Sequence, residues 1–227
     1  MSGSAATTEA LEVTVTAPVA SFRNPLYAGI QVGLPCPPPA TAGGMLAAAA
    51  GGWQRVPERL RFAMSFTAGG AGTDLETYHP LDARGRSTDA TPKDREFLVR
   101  VALTLWIIDD AGFWERVLRR PAWPLRLGRS QDLASARTGR VSLAAGTGYQ
   151  RQAIVPADLA RAGTLLRLPT AISADRARTR WDAYRYAATR GQDQKDRIEG
   201  GLVAADGQAV ILLPPVHPAQ FAGQLVR

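Results

Sequence analysis

The order of elements predicts an α+β fold of the ferredoxin-like, split βαβ kind, and three observations lead to it. Two stretches, around residues 11–16 and 59–67, alternate apolar and polar side chains with the period of a half-buried strand. A third and longer alternating run covers residues 99–107 and is followed at once by a helix-capping aspartate. Between the first two strands lies a run of Gly, Ala, Met and Leu that suits only a packed helix. The succession is strand, helix, strand, strand, helix, then further strands.

Taken in order, residues 1–8 read as a frayed tail and residues 9–227 as one domain. Leu11, Val13 and Val15 supply the buried face of the first strand, with Glu12, Thr14 and Thr16 opposite. A loop follows, stiffened by Pro35, Pro37, Pro38 and Pro39, and the small-residue helix is expected over residues 41–51 with Thr41 as its cap. In the second strand Leu60, Phe62, Met64 and Phe66 face one way, while Arg59, Arg61, Ser65 and Thr67 face the other. Val99, Val101, Leu103, Leu105 and Ile107 share one face of the third. Asp109 or Asp110 then caps a helix through about residue 120, carrying Phe113, Trp114, Val117 and Leu118.

Residues 68–94, between the second and third strands, are polar, glycine-bearing and too long for a tight turn. A stretch of that length inside a domain points to function. Beyond Pro121 the signals weaken. A strand is expected in residues 137–146, a short helix in 156–163, a strand in 181–189 and a last buried strand in 208–214. Residues 134–227 are thus expected as an irregular C-terminal extension.

The 227 residues are 45% hydrophobic and 21% charged, which excludes a disordered chain. A formal charge of +7 favours an acidic partner such as nucleic acid or a membrane surface. Of 27 basic residues only Lys93 and Lys195 are lysine. Arginine's planar fork suits phosphate, and a GC-rich genome produces the same ratio. Cys36 is the sole cysteine, so neither an internal disulfide nor a cysteine-cluster metal site is expected. The start of the chain lacks a signal-peptide pattern and no run of 18 apolar residues occurs, which points to a cytoplasmic protein.

Catalytic patterns are few. Residues 128–132, Gly-Arg-Ser-Gln-Asp, lack the second glycine of a nucleophile elbow. Phosphate-loop and dinucleotide spacings are missing as well, and His79 and His217 have no metal-ligand spacing around them, so neither metal nor cofactor is expected. Tyr78, His79 and Lys93 could together cleave RNA without metal, one taking the 2′-hydroxyl proton and another steadying the phosphate. The plainer reading, a His-Pro turn and a solvated lysine, is favoured. Ser21, Phe22 and Arg23 follow the first strand directly, with Tyr27 four residues on. Guanidinium on phosphate and aromatic faces on unpaired bases is the chemistry of RNA recognition. A buried Phe22 beside an ordinary surface arginine explains the same residues.

Four blocks carry a resemblance: ASFRNP, LPCPPPATAGGMLAAAAG, DREFLVRVALTLWI and PLRLGRSQDL, in that order between residues 13 and 133. Together they resemble the CRISPR-associated Cas "five" proteins of the RAMP superfamily, subunits of the type I Cascade surveillance complex. The resemblance implies a ferredoxin-like RAMP core with a β-hairpin thumb at residues 68–94, bearing Arg84, Arg86, Lys93 and Arg95. It also implies a non-catalytic subunit that caps the 5′ handle of the crRNA and contacts the backbone and large subunits. Such a subunit meets target DNA only through the complex. Ser21, Phe22 and Arg23 match the family's Ser-Phe-Arg, with Arg129 and Ser130 as further handle candidates. The family's usual serine before Thr41 is Ala40 here. In the ribonuclease branch a tyrosine and a Lys-His pair cleave repeat RNA; no Lys-His dipeptide occurs here, and Tyr78-His79 is only a loose counterpart. The proline block and the missing pair point towards a type I-B-like system. Within this frame the helix near Thr41 offers open N–H groups to a phosphate, and Gly43 and Gly44 let backbone or ribose approach. A basic scaffold that docks protein alone is the reading outside nucleic acid.

Overall fold

The computed structural model describes residues 7–27, 32–79, 84–86, 89–188 and 197–221. Its first strand, β1 (Thr7–Ala20), buries Leu11, Val13 and Val15 completely, as their alternation predicts. The strand already starts at Thr7, inside the expected tail; residues 1–6 lie outside the described residues.

Helix α1 (Pro39–Ala50) starts two residues before the expected Thr41. Pro38 is its N-cap and Pro39 its first residue, because the fixed φ of proline is already helical there and its missing N–H costs nothing. Thr41 therefore lies inside the first turn and caps nothing. The helix buries Ala42, Met45, Leu46, Ala47, Ala49 and Ala50, and it ends at Gly51, whose φ of 90° lets the last turn close.

Strand β2 (Phe62–Thr67) buries Phe62, Met64 and Phe66. Next come β3 (Gly70–Tyr78) and the long β4 (Thr91–Ile107), which form an antiparallel hairpin over residues that residue patterning alone reads as a loop and the family resemblance reads as a hairpin. Strands β2 and β3 lie end to end along β4 without change of offset, Thr67 opposite Ala102 and Gly70 opposite Val99. Where they meet, the ladder is interrupted. Pro18 of β1, with no N–H to give, stands across from Arg100 between the pairs Ala17↔Val101 and Val19↔Val99. Arg100 adopts φ 49°, a left-handed backbone that costs a non-glycine residue about 1–2 kcal/mol. Its Nη2 donates to the Gly69 carbonyl at 3.1 Å, and a Cβ on Gly69 would come within 2.6 Å of its Nε.

Helix α2 (Ala111–Arg119) is capped by Asp110, whose carboxylate accepts from the Phe113 N–H at 2.9 Å; Trp114 and Leu118 enter the core. The remaining strands are β5 (Ser135–Tyr149), β6 (Ala153–Pro156), β7 (Thr164–Ile172), β8 (Thr179–Tyr186), β9 (Arg197–Val203) and β10 (Ala209–Val210). They replace the expected irregular extension. All join one sheet of order β10-β9-β5-β1-β4-β2-β6-β8-β7, with β3 beside β4 and every strand pairing antiparallel.

The helix expected over residues 156–163 is absent: Pro156 pairs with Tyr184 at the end of β6 and turns lead on to Gly163. Only the seven residues 157–163 separate β6 from β7, too few to offset the cost of nucleating a helix there. The last expected strand is cut to the two residues of β10, beyond which Leu213 is held to Phe62 by a single backbone bond of 2.9 Å. The main core lies between the sheet and the two helices, and a smaller cluster of Ala10, Ala63, Trp106, Leu143 and Val210 covers part of the other face. No helix among the described residues is long and apolar enough to cross a membrane.

Candidate functional site

The loop leaving β1 carries the predicted Ser-Phe-Arg block, and a second predicted block holds it in place. Asp132, almost fully buried, accepts the Ser21 N–H at 3.2 Å from 111 residues away. The same carboxylate accepts the Arg129 N–H at 3.0 Å and clasps the Arg129 guanidinium through Nε and Nη2. Gly128, at φ 106°, permits this approach, since a Cβ there would meet the Ser21 carbonyl at 2.7 Å. On the other side the Ser21 hydroxyl donates to the Glu96 carbonyl at 2.7 Å, while the Glu96 carboxylate accepts the Gly33 N–H at 2.8 Å. The base of the hairpin and the loop after α2 thus grip the end of β1 from two sides.

This geometry redistributes the candidate roles. Phe22 is 4% exposed and stands edge-on to Phe66 at 5.7 Å, so it is core and offers no face to a base. Ser21 is buried with its hydroxyl engaged, and Arg129 is the counter-ion of Asp132. Neither is placed as an RNA ligand. The open helix end is also closed down: Pro39 has no N–H, and the N–H groups of Thr41 and Ala42 already reach the Pro38 carbonyl. Gly43 makes room for Val216, whose Cγ2 lies 2.6 Å from where its Cβ would be. Gly44, by contrast, has nothing within 4 Å of that position.

Arg23, Tyr27 and Ser130 remain exposed. Arg23 forms an isolated bridge with Gly33, and its Nη2 reaches the Tyr27 carbonyl at 3.4 Å. The ring of Tyr27 is at the surface, with 48% of the residue exposed. Sequence reasoning passed over Asp132 and Glu96. Asp132 closes the Gly-Arg-Ser-Gln-Asp stretch, and its position three residues after an arginine is the signal that could have found it.

On the hairpin, Tyr78 pairs through its backbone with Thr91 and Lys93 with Glu76, while His79 follows in the exposed tip. Arg95 is ion-paired to Glu76, so its charge is already met within the hairpin. Arg84 and Arg86 are exposed near the tip, beside residues 80–83 and 87–88, which lie outside the described residues. Cys36 is buried, and burial pushes its thiol far above the usual range, away from nucleophilic use. Among the described residues no group of three or more His, Cys, Asp or Glu is placed to hold a metal ion.

Residues 10–155 match the family model described as CRISPR-associated protein (Cas_Cas5). No curated protein matches the chain. Among solved structures, a chain of a "CRISPR RNA-guided surveillance complex" aligns with a TM-score of 0.53 and 20% identity, covering 88% of this chain and 93% of that one. A CRISPR protein from Archaeoglobus fulgidus aligns at 0.51 with 13% identity, covering 91% and 99%. At such identities the likeness is one of fold.

Proposed function

The chain belongs to the Cas5 family of CRISPR-associated proteins, and we propose that it is a non-catalytic, RNA-binding subunit of a type I Cascade complex, seated on the 5′ handle of the crRNA. The observation that carries this reading is the end of β1. There Arg23 and Tyr27 stand exposed just beyond Ser21, which Asp132 and the Glu96 carbonyl anchor from beneath. A guanidinium and an aromatic ring presented beside such an anchor are suited to phosphate and to an unpaired base. The order β5-β1-β4-β2, with helices after β1 and β4, supports a ferredoxin-like core. The β3–β4 hairpin would then take the part of the thumb and reach the backbone subunit, with the large subunit alongside.

Arg23→Ala is expected to weaken handle RNA about tenfold and to reduce the salt dependence of binding by about one phosphate contact. An unchanged affinity would remove Arg23 from the interface. For the non-catalytic part of the proposal, repeat RNA incubated with the chain in chelator should stay intact. Cleavage that disappears in His79→Ala would instead establish the ribonuclease reading of Tyr78, His79 and Lys93.

A further inference from the structure

Two cavities flank the end of β1, and charge separates them. One, of about 410 Å³, lies between the loop after β1 and the hairpin; Glu96 lines it and no lysine or arginine does. The other, of about 550 Å³, opens where β1 runs past the start of β5. Its lining includes Thr16, Pro18, Arg100, Ala102, Leu133 and Ser135, with no carboxylate. Both sizes are those of small-ligand pockets. Only the second suits an anion.

We infer that this second cavity is a nucleotide subsite, in which an unpaired base lies on the apolar floor and its phosphate meets Arg100. The inference rests on the RNA-binding reading above and extends the interface along β1 from Arg23. From Pro18 to Arg23 a strand covers about 16 Å, a distance that a few nucleotides bridge. Three features of the cavity carry it.

The first is Arg100 itself. One of its N–H groups reaches the Gly69 carbonyl, and among the described residues no carboxylate pairs with it. Its remaining donors form the fork that phosphate oxygens match. The strained backbone at this residue, mid-strand and opposite Pro18, is the kind of outlier that points to a functional position.

The second is the floor. Pro18, Ala102 and Ala134 are small and flat, and Leu133 rises beside them with 59% of its surface exposed. No aromatic ring lines this floor, so a base would bury its face against aliphatic carbons while Arg100 beside it takes the phosphate. The third is the rim, where the Thr16 and Ser135 hydroxyls lie 3.0 Å apart in the open. A hydroxyl pair so placed can exchange hydrogen bonds with a ribose 2′-hydroxyl, which favours RNA over DNA.

The test measures binding of the full chain to a short labelled single-stranded RNA, to its abasic ribose-phosphate counterpart and to the matching DNA. Leu133→Ser, which removes apolar surface without adding charge, is expected to weaken the base-bearing RNA about tenfold and to leave the abasic strand unaffected. Arg100→Gly suits the left-handed backbone, so it removes the guanidinium without straining the fold, and it should weaken both RNAs. DNA should bind more weakly than RNA in the wild type, and Thr16→Val should narrow that gap. If both Arg100→Gly and Leu133→Ser bind base-bearing RNA like the wild type while Arg23→Ala does not, the subsite is wrong and the handle reading stands. If the wild type binds none of the strands, both fall. Variants that keep RNA binding but no longer join the other subunits would make the cavity a protein contact instead, again overturning the subsite.

Discussion

The two halves of β4 share one strand and one register yet rest on different physics. Residues 101–107 lie between β1 and β2 with Val101, Leu103, Leu105 and Ile107 buried. Residues 91–97 pair with β3, carry Lys93, Asp94, Arg95 and Glu96, and leave most of both faces to solvent. Residues 101–107 are held by burial of apolar area, residues 91–97 by backbone hydrogen bonds and one partly buried ion pair, which contribute far less. A strand can therefore be continuous in geometry and discontinuous in stability, and the boundary falls at Arg100.

The most severe test of that contrast is a matched pair of truncations. Leu103→Ala should lower unfolding stability by about 2–5 kcal/mol in denaturant titration, whereas Leu75→Ala, on the exposed β3, should change it by less than about 0.5 kcal/mol. Equal losses would refute the division. Amide exchange should agree, with β3 opening before β2.

Asp132→Ala comes next, with an expected loss of about 2–3 kcal/mol. That is less than for a fully buried pair, because the Arg129 side chain is 16% exposed. The loop bearing Arg23 should loosen with it, so handle affinity should fall even though Asp132 touches no ligand.

A pH titration probes the buried side of the molecule. The Tyr184 phenol is pushed up to about 12, first by burial, and burial raises Tyr186 as well. Both are raised above the unfolded value of about 10, so the native state holds its protons longer there. The buried Cys36 thiol is raised as well. Stability should therefore be level up to about pH 8.5, decline above it, and decline more steeply beyond about pH 10, where the two phenols add to the thiol. Tyr186→Phe should reduce the slope, at the cost of the hydrogen bond its hydroxyl donates to the Phe66 carbonyl. A modest gain is expected at the boundary itself, where Arg100→Gly should stabilise by up to about 1 kcal/mol through relief of its backbone.

Legibility in the sequence followed burial. β1, β2 and the second half of β4 could be read because one face is apolar and the period of two survives. The cap of α2 could be read because Asp110 and Phe113 are local neighbours. The hairpin could be read only through the family resemblance and not from periodicity, since on so exposed a strand nothing forces alternation between Gly70 and Tyr78. Phe22 was ambiguous for a related reason. From Leu11 to Ala17 burial on β1 falls on odd positions, and beyond the interruption at Pro18 that alternation is lost, with Ala20, Ser21 and Phe22 buried in succession. The contact between Asp132 and Ser21 spans 111 residues and leaves no local trace. Of the proposed RNA contacts, Arg23 and Tyr27 keep the exposure their role needs, while the helix end loses it to prolines that bring the helix start forward.

Val216 has a consequence for how the protein is made. The space that Gly43 leaves on α1 is filled by Val216 and by Trp53, and the nearby His217 accepts the Ala219 N–H and bonds the Trp53 carbonyl at 3.0 Å. As the chain emerges from the ribosome, α1 is complete some 170 residues before its final cover arrives. Until then its apolar flank stays open, and the nascent chain depends on whatever shields that flank. A ribosome stalled before residue 216 would release a chain with most of its strands and an uncovered helix.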